Sequence, residues 1–205
     1  MFNRKNHWEG IYQDKDSHEV SWYQKNPLLS LELIRHSQIN SDDAIIDVGG
    51  GASELVDYLY GLGFRNLAVL DISQNALLSS QRRLGKTALE IEWYESDITE
   101  FNAPHLFSLW HDRAVFHFLT DKSDRQKYIN ILKQTLKSGG VLILAAFEVG
   151  GPDKCSGLDV VQYDVEKISA ELGGDFKLLD VRSENHITPS SVEQKFMYFH
   201  FSYLP

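Results

Sequence analysis

The chain has 205 residues, 42% of them hydrophobic, with 20 Lys and Arg against 29 Asp and Glu, a formal net charge of −9. That length and apolar content suffice for one sizeable core. The acid excess repels phosphate backbones and argues against nucleic acid as a partner, and no apolar run approaches membrane-spanning length. The single cysteine, Cys155, excludes an internal disulfide framework. Together with an N-terminus (residues 1–6) that lacks the apolar centre of a secretory leader, it points to a reducing cytoplasm.

In chain order, Trp8, Ile11 and Tyr12 fall on one face of a helical turn. A second aromatic pair, Trp22-Tyr23, follows, and residues 27–39 read as a helix begun by Pro27, with Leu28, Leu31 and Ile34 three apart. The aromatics either pack this segment on the domain or close over a ligand site, where aromatic faces attract a cation and exclude water.

Residues 44–55 organise what comes after. An apolar run ends at Asp47-Val48, turns on Gly49, Gly50 and Gly51, and enters an amphipathic helix over 54–62. Missing side chains there let backbone approach a ligand, which in an open parallel sheet sits outside the carboxyl ends of the strands. A dinucleotide turn needs G-x-G-x-x-G, and counting from Gly49 its third glycine position holds Glu54. A second buried strand, 66–73, ends at Asp71-Ile72, where a carboxylate can accept ribose hydroxyls; Ser73 can cap the helix at 74–84. A third strand at 90–94 leads to Asp97-Ile98, so three acids fall at successive strand ends with a β-α-β rhythm between them.

Residues 107–119 read as strand four and the loop leaving it. His111, Asp112, Arg113 and His117 there are unfavourable unless paired or used. A helix over 124–136 stops at Ser138-Gly139-Gly140, strand five covers 141–147 and ends at Phe147, and a glycine-containing loop, 148–158, is a candidate substrate loop. A helix at 165–172 precedes strands at 176–184 and 193–203, joined by a linker at 185–191. The last strand is apolar on both faces and therefore central.

Asp47-Val48-Gly49-Gly50-Gly51 resembles motif I of class I S-adenosylmethionine-dependent methyltransferases, with Ser53 where that family usually has another glycine. Trp110-His111-Asp112-Arg113-Ala114 resembles the Trp-Asp-Arg-Gly segment of thiopurine-type methyltransferases and the Asp-Lys-Gly-like one of small protein-lysine methyltransferases. Ala114 stands for the glycine, and His111 is an addition. Lys137-Ser138-Gly139-Gly140 resembles the family's L-K-P-G-G, and the N-terminal segment its W-x-x-x-Y … W-Y start.

The resemblance, over about residues 40–203, implies a Rossmann-like α/β fold. Its seven-stranded sheet has the order 3-2-1-4-5-7-6, the last strand antiparallel and helices on both faces. A helical arm or lid would span 1–40 and the methyltransferase domain 41–205. The cofactor implied is S-adenosyl-L-methionine, leaving as S-adenosyl-L-homocysteine, with no metal. Its site would comprise Asp47, Gly49, Gly50, Gly51, Asp71, Ile72, Asp97 at the adenine amino group, Ile98 on the ring, Trp22 and His111. His111 and His117 are the candidate bases and Asp112 their orienter; Arg113, Phe147, Trp8 and Tyr12 are candidate substrate contacts.

A small-molecule S, N or O acceptor is the leading expectation, given the compact chain without an appended recognition domain and the polar strand-four loop. A protein-lysine substrate is the alternative, although the Asn/Asp-Pro-Pro-Tyr motif is absent. A non-catalytic cofactor-binding sensor or scaffold is the reading from another class.

Overall fold

The computed structural model describes residues 3–205. Among the described residues there are six α-helices: α1 (Arg4–Asp14), α2 (Leu28–His36), α3 (Leu55–Gly61), α4 (Gln74–Leu84), α5 (Lys122–Thr135) and α6 (Val165–Leu172). The strands are β1 (Ile45–Val48), β2 (Leu67–Asp71), β3 (Glu92–Glu95), β4 (Phe107–Arg113), β5 (Leu136–Phe147), β6 (Lys154–Cys155), β7 (Leu158–Asp159), β8 (Phe176–Ile187) and β9 (Glu193–Tyr203). Among the described residues, no helix is long and apolar enough to cross a membrane.

Seven strands form one sheet in the order β3-β2-β1-β4-β5-β9-β8, with β6 and β7 set apart as a small hairpin. Discounting that hairpin, this is the expected 3-2-1-4-5-7-6. β1 to β5 pair in parallel, and β9 runs antiparallel to both β5 and β8. A strand buried on both faces favours apolar residues throughout; β1 and β2 are apolar except for Asp47 and Asp71 near their carboxyl ends, whereas β4 also buries Ser108, His111 and Asp112, each with a hydrogen-bond partner. Alternate side chains feed two separate cores. Ile46, Val48, Trp110 and Leu142 meet Tyr128, Leu132 and Ile168 of α5 and α6 on one face. Ile45, Val69, Leu109 and Ile143 meet Ile34, Leu59 and Leu77 of α2, α3 and α4 on the other.

Four boundaries differ from expectation. β5 begins at Leu136 rather than 141, because a register shift between Phe107 and Leu109 lets the chain keep pairing through Gly139, at φ +78°. β8 continues to Ile187, so the first three residues of the expected linker are strand, and the turn closes with Thr188 N donating to Val192 O at 2.9 Å. β4 includes His111, Asp112 and Arg113, which had been assigned to strand and loop together. The arm is also shorter than 1–40. α2 inserts Leu31, Leu33 and Ile34 into the core, leaving only α1 and its connection as an appendage; Met1 and Phe2 lie outside the described residues.

Ala114, directly after β4, sits at φ +73°. The family's glycine at this position avoids the cost of about 1–2 kcal/mol that a Cβ incurs in left-handed backbone. Glycine also loosens the unfolded chain by about 0.4–1 kcal/mol. Ala114→Gly is therefore expected to hold stability constant or raise it by up to about 1 kcal/mol, where the same change at ordinary backbone lowers it. Urea denaturation would show this, and a clear loss would refute it.

Candidate active site

At the carboxyl edge of the parallel strands, Gly49 takes φ +69° and donates its N–H to Leu70 O at 2.7 Å. A Cβ on Gly49 would overlap the Val115 side chain, one on Gly50 the Asp47 carboxylate, and one on Gly51 the Asp71 carboxylate and Ala76. The turn is thus wedged between two acids with no room for side chains.

Asp47 is buried beneath it. Its Oδ1 lies 2.7 Å from His111 Nδ1, while Oδ2 has no donor among the described residues. The two are register partners on β1 and β4, and His111 Nε2 lies 2.9 Å from Ser30 Oγ on α2. The carboxylate fixes the ring: Nδ1–H donates to Asp47, and Nε2 meets the serine hydroxyl.

Asp71, also buried, accepts from Ser73 N at 2.8 Å through Oδ1. Burial pushes its carboxyl pKa up to about 7, and the negative charges of Asp47 and Glu9 reinforce the shift. Asp97 Oδ1 accepts from Thr99 N and Thr99 Oγ1, both at 2.8 Å, and its Oδ2 lies 3.5 Å from Arg4.

α1 lies over this edge. Its Glu9 carboxylate accepts from Gln74 N at 2.7 Å, Asn75 N at 3.1 Å and Ser73 Oγ at 3.0 Å, capping α4, where an acid is favoured by the exposed amides and the helix dipole. Arg4 also pairs with Asp124, and Lys5 with Glu95. Trp8 packs edge-on against Trp22 and Phe118, with centroids 5.5 and 5.0 Å away, and Trp22 Nε1 donates to Tyr12 Oη at 3.2 Å.

Beneath α1 opens a cleft of about 870 Å³. Of the expected site residues, Trp8, Tyr12, Trp22, Gly49, Asp71, Ile72, Asp97, Ile98 and Arg113 line it. Asp47, Gly49, Gly50 and His111 line a smaller adjoining cavity of about 500 Å³, shared with Trp22 and Arg113. Gly51 is held behind the turn by its contacts with Asp71 and Ala76.

The catalytic assignments need correction. Asp112 is fully buried and faces the α5 core, accepting from Val115 N at 2.8 Å, Phe116 N at 3.2 Å and Tyr128 Oη at 2.6 Å. It orients neither histidine; it pins the turn after β4, and burial raises its pKa to about 6. His117 is equally buried, against Phe118 and Phe147 at 4.5 and 4.8 Å, and burial lowers its pKa to about 3. An imidazole that weakly basic and shut away cannot take a proton from a substrate. His111 is committed to Asp47 and Ser30. Phe147 is core, with no exposed surface, rather than a substrate contact.

Arg113 reaches the cleft, but its donors are engaged. Nε goes to Tyr198 Oη at 2.8 Å, Nη1 to Trp22 O at 3.0 Å and Nη2 to Glu184 at 3.4 Å, while the guanidinium sits 4.3 Å over the Phe196 ring. With Glu184 balancing its charge, Arg113 anchors the α1–α2 connection rather than awaiting an anion.

The sequence reading missed Glu9, Ser30, Phe118, Gln194 and Phe196. The last three line the cleft from the turn after β4 and from β9, while Glu9 caps α4 and Ser30 meets His111.

The site fits the cofactor expected from the sequence. Close-approach glycine amides as donors, with an unpartnered Asp47 oxygen and Asp71 at the end of β2 as acceptors, suit a nucleoside with an amino-acid tail. An ionised Asp71 accepts from two hydroxyls, and a protonated one loses an acceptor. With a pKa of about 7, S-adenosylhomocysteine affinity should therefore fall about tenfold from pH 8 to pH 6. Asp71→Ala should abolish most binding and its pH dependence; calorimetry showing wild-type affinity in that variant would refute the assignment. His111→Ala leaves the buried Asp47 and Ser30 without partners and is expected to cost about 3 kcal/mol of stability by denaturant titration.

Residues 45–140 match a family described as a methyltransferase domain. The eEF1A lysine and N-terminal methyltransferase of Bos taurus is 23% identical over 158 residues, covering 77% of this chain and 22% of that protein. Its Mus musculus counterpart is 25% identical over 121 residues, or 59% and 16%. The chain spans about a fifth of the length of these curated relatives. Among solved structures, an S-adenosylmethionine-dependent methyltransferase from Anabaena variabilis superposes with TM-score 0.77 at 16% identity, over 99% of this chain and 96% of that one. The 1,6-didemethyltoxoflavin-N1-methyltransferase of Burkholderia thailandensis gives 0.74 at 15%, over 98% and 87%. The match over residues 45–140 is thus to a methyltransferase domain, and the strand order is that of the Rossmann-like fold of S-adenosylmethionine-dependent methyltransferases.

Proposed function

We propose that the protein transfers the methyl group of S-adenosylmethionine to a small-molecule acceptor. The observation that carries this reading is the aromatic lining of the cleft. Trp8, Tyr12, Trp22, Phe118 and Phe196 all border it, with Trp8 packed edge-on against Trp22 and Phe118. The toxoflavin-type neighbour was solved with its small heterocyclic substrate bound, which supports the same reading.

Bound S-adenosylmethionine supplies an electrophilic methyl group on a sulfonium. Asp71 and the glycine turn would hold its nucleoside and tail, and Ile98 would pack against its base. The aromatic walls stabilise positive charge and exclude water, so catalysis follows from alignment and desolvation. No histidine lines the cleft among the described residues, which suits an acceptor that arrives as a free nucleophile.

The curated relatives' names favour a second reading, a lysine or N-terminal amine of a protein. Two experiments decide. Labelled methyl transfer into a cell extract should place the label in the small-molecule fraction; label in protein alone selects the second reading, and none in either removes the enzyme assignment. His117→Leu should keep turnover within a few-fold, whereas loss of a general base costs about 100-fold or more.

A further inference from the structure

β9 opens with strict alternation. Glu193 and Lys195 face solvent, while Gln194, Phe196 and Tyr198 are buried on one face. Two of the three have evident partners: Phe196 lies under the Arg113 guanidinium, and Tyr198 Oη bonds Arg113 and Glu184. Gln194 is only 8% exposed, lines the cleft, and its Oε1 has no hydrogen-bond donor among the described residues. A buried amide in an aromatic row is unfavourable unless something bonds it.

The surrounding polar groups are committed elsewhere. His186, opposite Gln194 in the β8–β9 register, meets Ser21 O at 2.7 Å, Trp22 Nε1 goes to Tyr12, and the Cys155 thiol lies 4.0 Å from Ser21 Oγ. Gln194 also lies at the end of the cleft away from Asp71. β9 is four strand spacings from β2, roughly 19 Å across the sheet, so the amide faces the acceptor end rather than the nucleoside.

We propose that Gln194 selects the acceptor, and that the acceptor is a planar, uncharged heteroaromatic ring with an N–H on its edge. This rests on the small-molecule reading above. The walls of Trp22 and Phe118 favour a flat ring, the Gln194 carbonyl accepts the ring N–H, and its NH₂ donates to an adjacent ring carbonyl or nitrogen. The same two-point pairing lets glutamine read a nucleobase edge.

The test is calorimetric titration of lumazine and of 1,3-dimethyllumazine, whose edge N–H groups are blocked, into the full chain saturated with S-adenosylhomocysteine. Lumazine should bind wild type about tenfold more tightly than it binds Gln194→Leu, with the dimethyl compound equal in both. Gln194→Leu should keep its affinity for S-adenosylhomocysteine. If that variant does not fold, the wild-type preference for lumazine over its dimethyl analogue carries the test. Equal lumazine affinity in the two proteins, no lumazine binding, or no preference in wild type overturns the proposal. Should this happen while label still enters the small-molecule fraction, the proposal falls alone; label entering only protein removes both.

Discussion

The structure around the cleft depends on one buried pair, Asp47 and His111. A carboxylate and an imidazole with almost no exposure, 2.7 Å apart on neighbouring strands, are stable there only together. Their bond fixes β1 against β4 at the point where both strands deliver the chain to the cleft. Through Ser30 it fastens α2 to the same point, and through Asp47 it supports Gly50 from below. The turn that receives the cofactor thus inherits its rigidity from a contact behind it.

The α/β architecture was readable because it repeats. Apolar runs ending in Asp47 and Asp71, each followed by a helical stretch, with a third run ending near Asp97, admit few topologies, and the parallel sheet brings those acids to one edge whatever the details of packing. The polar run in β4 was misread for an equally physical reason. Taken as a loop, His111, Asp112 and Arg113 look like a convergent cluster. As strand residues they alternate, so His111 turns toward α2, Asp112 toward α5, and Arg113 reaches Tyr198 and Trp22 beyond the strand end. A single boundary decision separated two expected catalytic partners, His111 and Asp112, and an expected substrate contact, Arg113. Glu9 and Gln194 were illegible for a different reason: each gains its meaning from groups far away in the chain, 64 residues in the case of Glu9 and Ser73.

What remains at the reacting end is apolar and aromatic rather than acid–base. The titratable groups of β4 hold the scaffold, and the aromatic side chains that line the cleft come from α1 and the connection after it, the turn after β4, and β9. Three elements that are not neighbours in sequence therefore define that lining. Such an arrangement lets the acceptor end vary while the nucleoside end, built on β1 to β3, stays fixed.

Glu9 gives the arm an electrical consequence as well as a mechanical one. Its carboxylate, seated at the start of α4, is among the charges that raise the proton affinity of Asp71. The same carboxylate thus does two things at once: it fastens α1 to the start of α4, and it makes the neighbouring acid at the end of β2 a weaker acid than burial alone would.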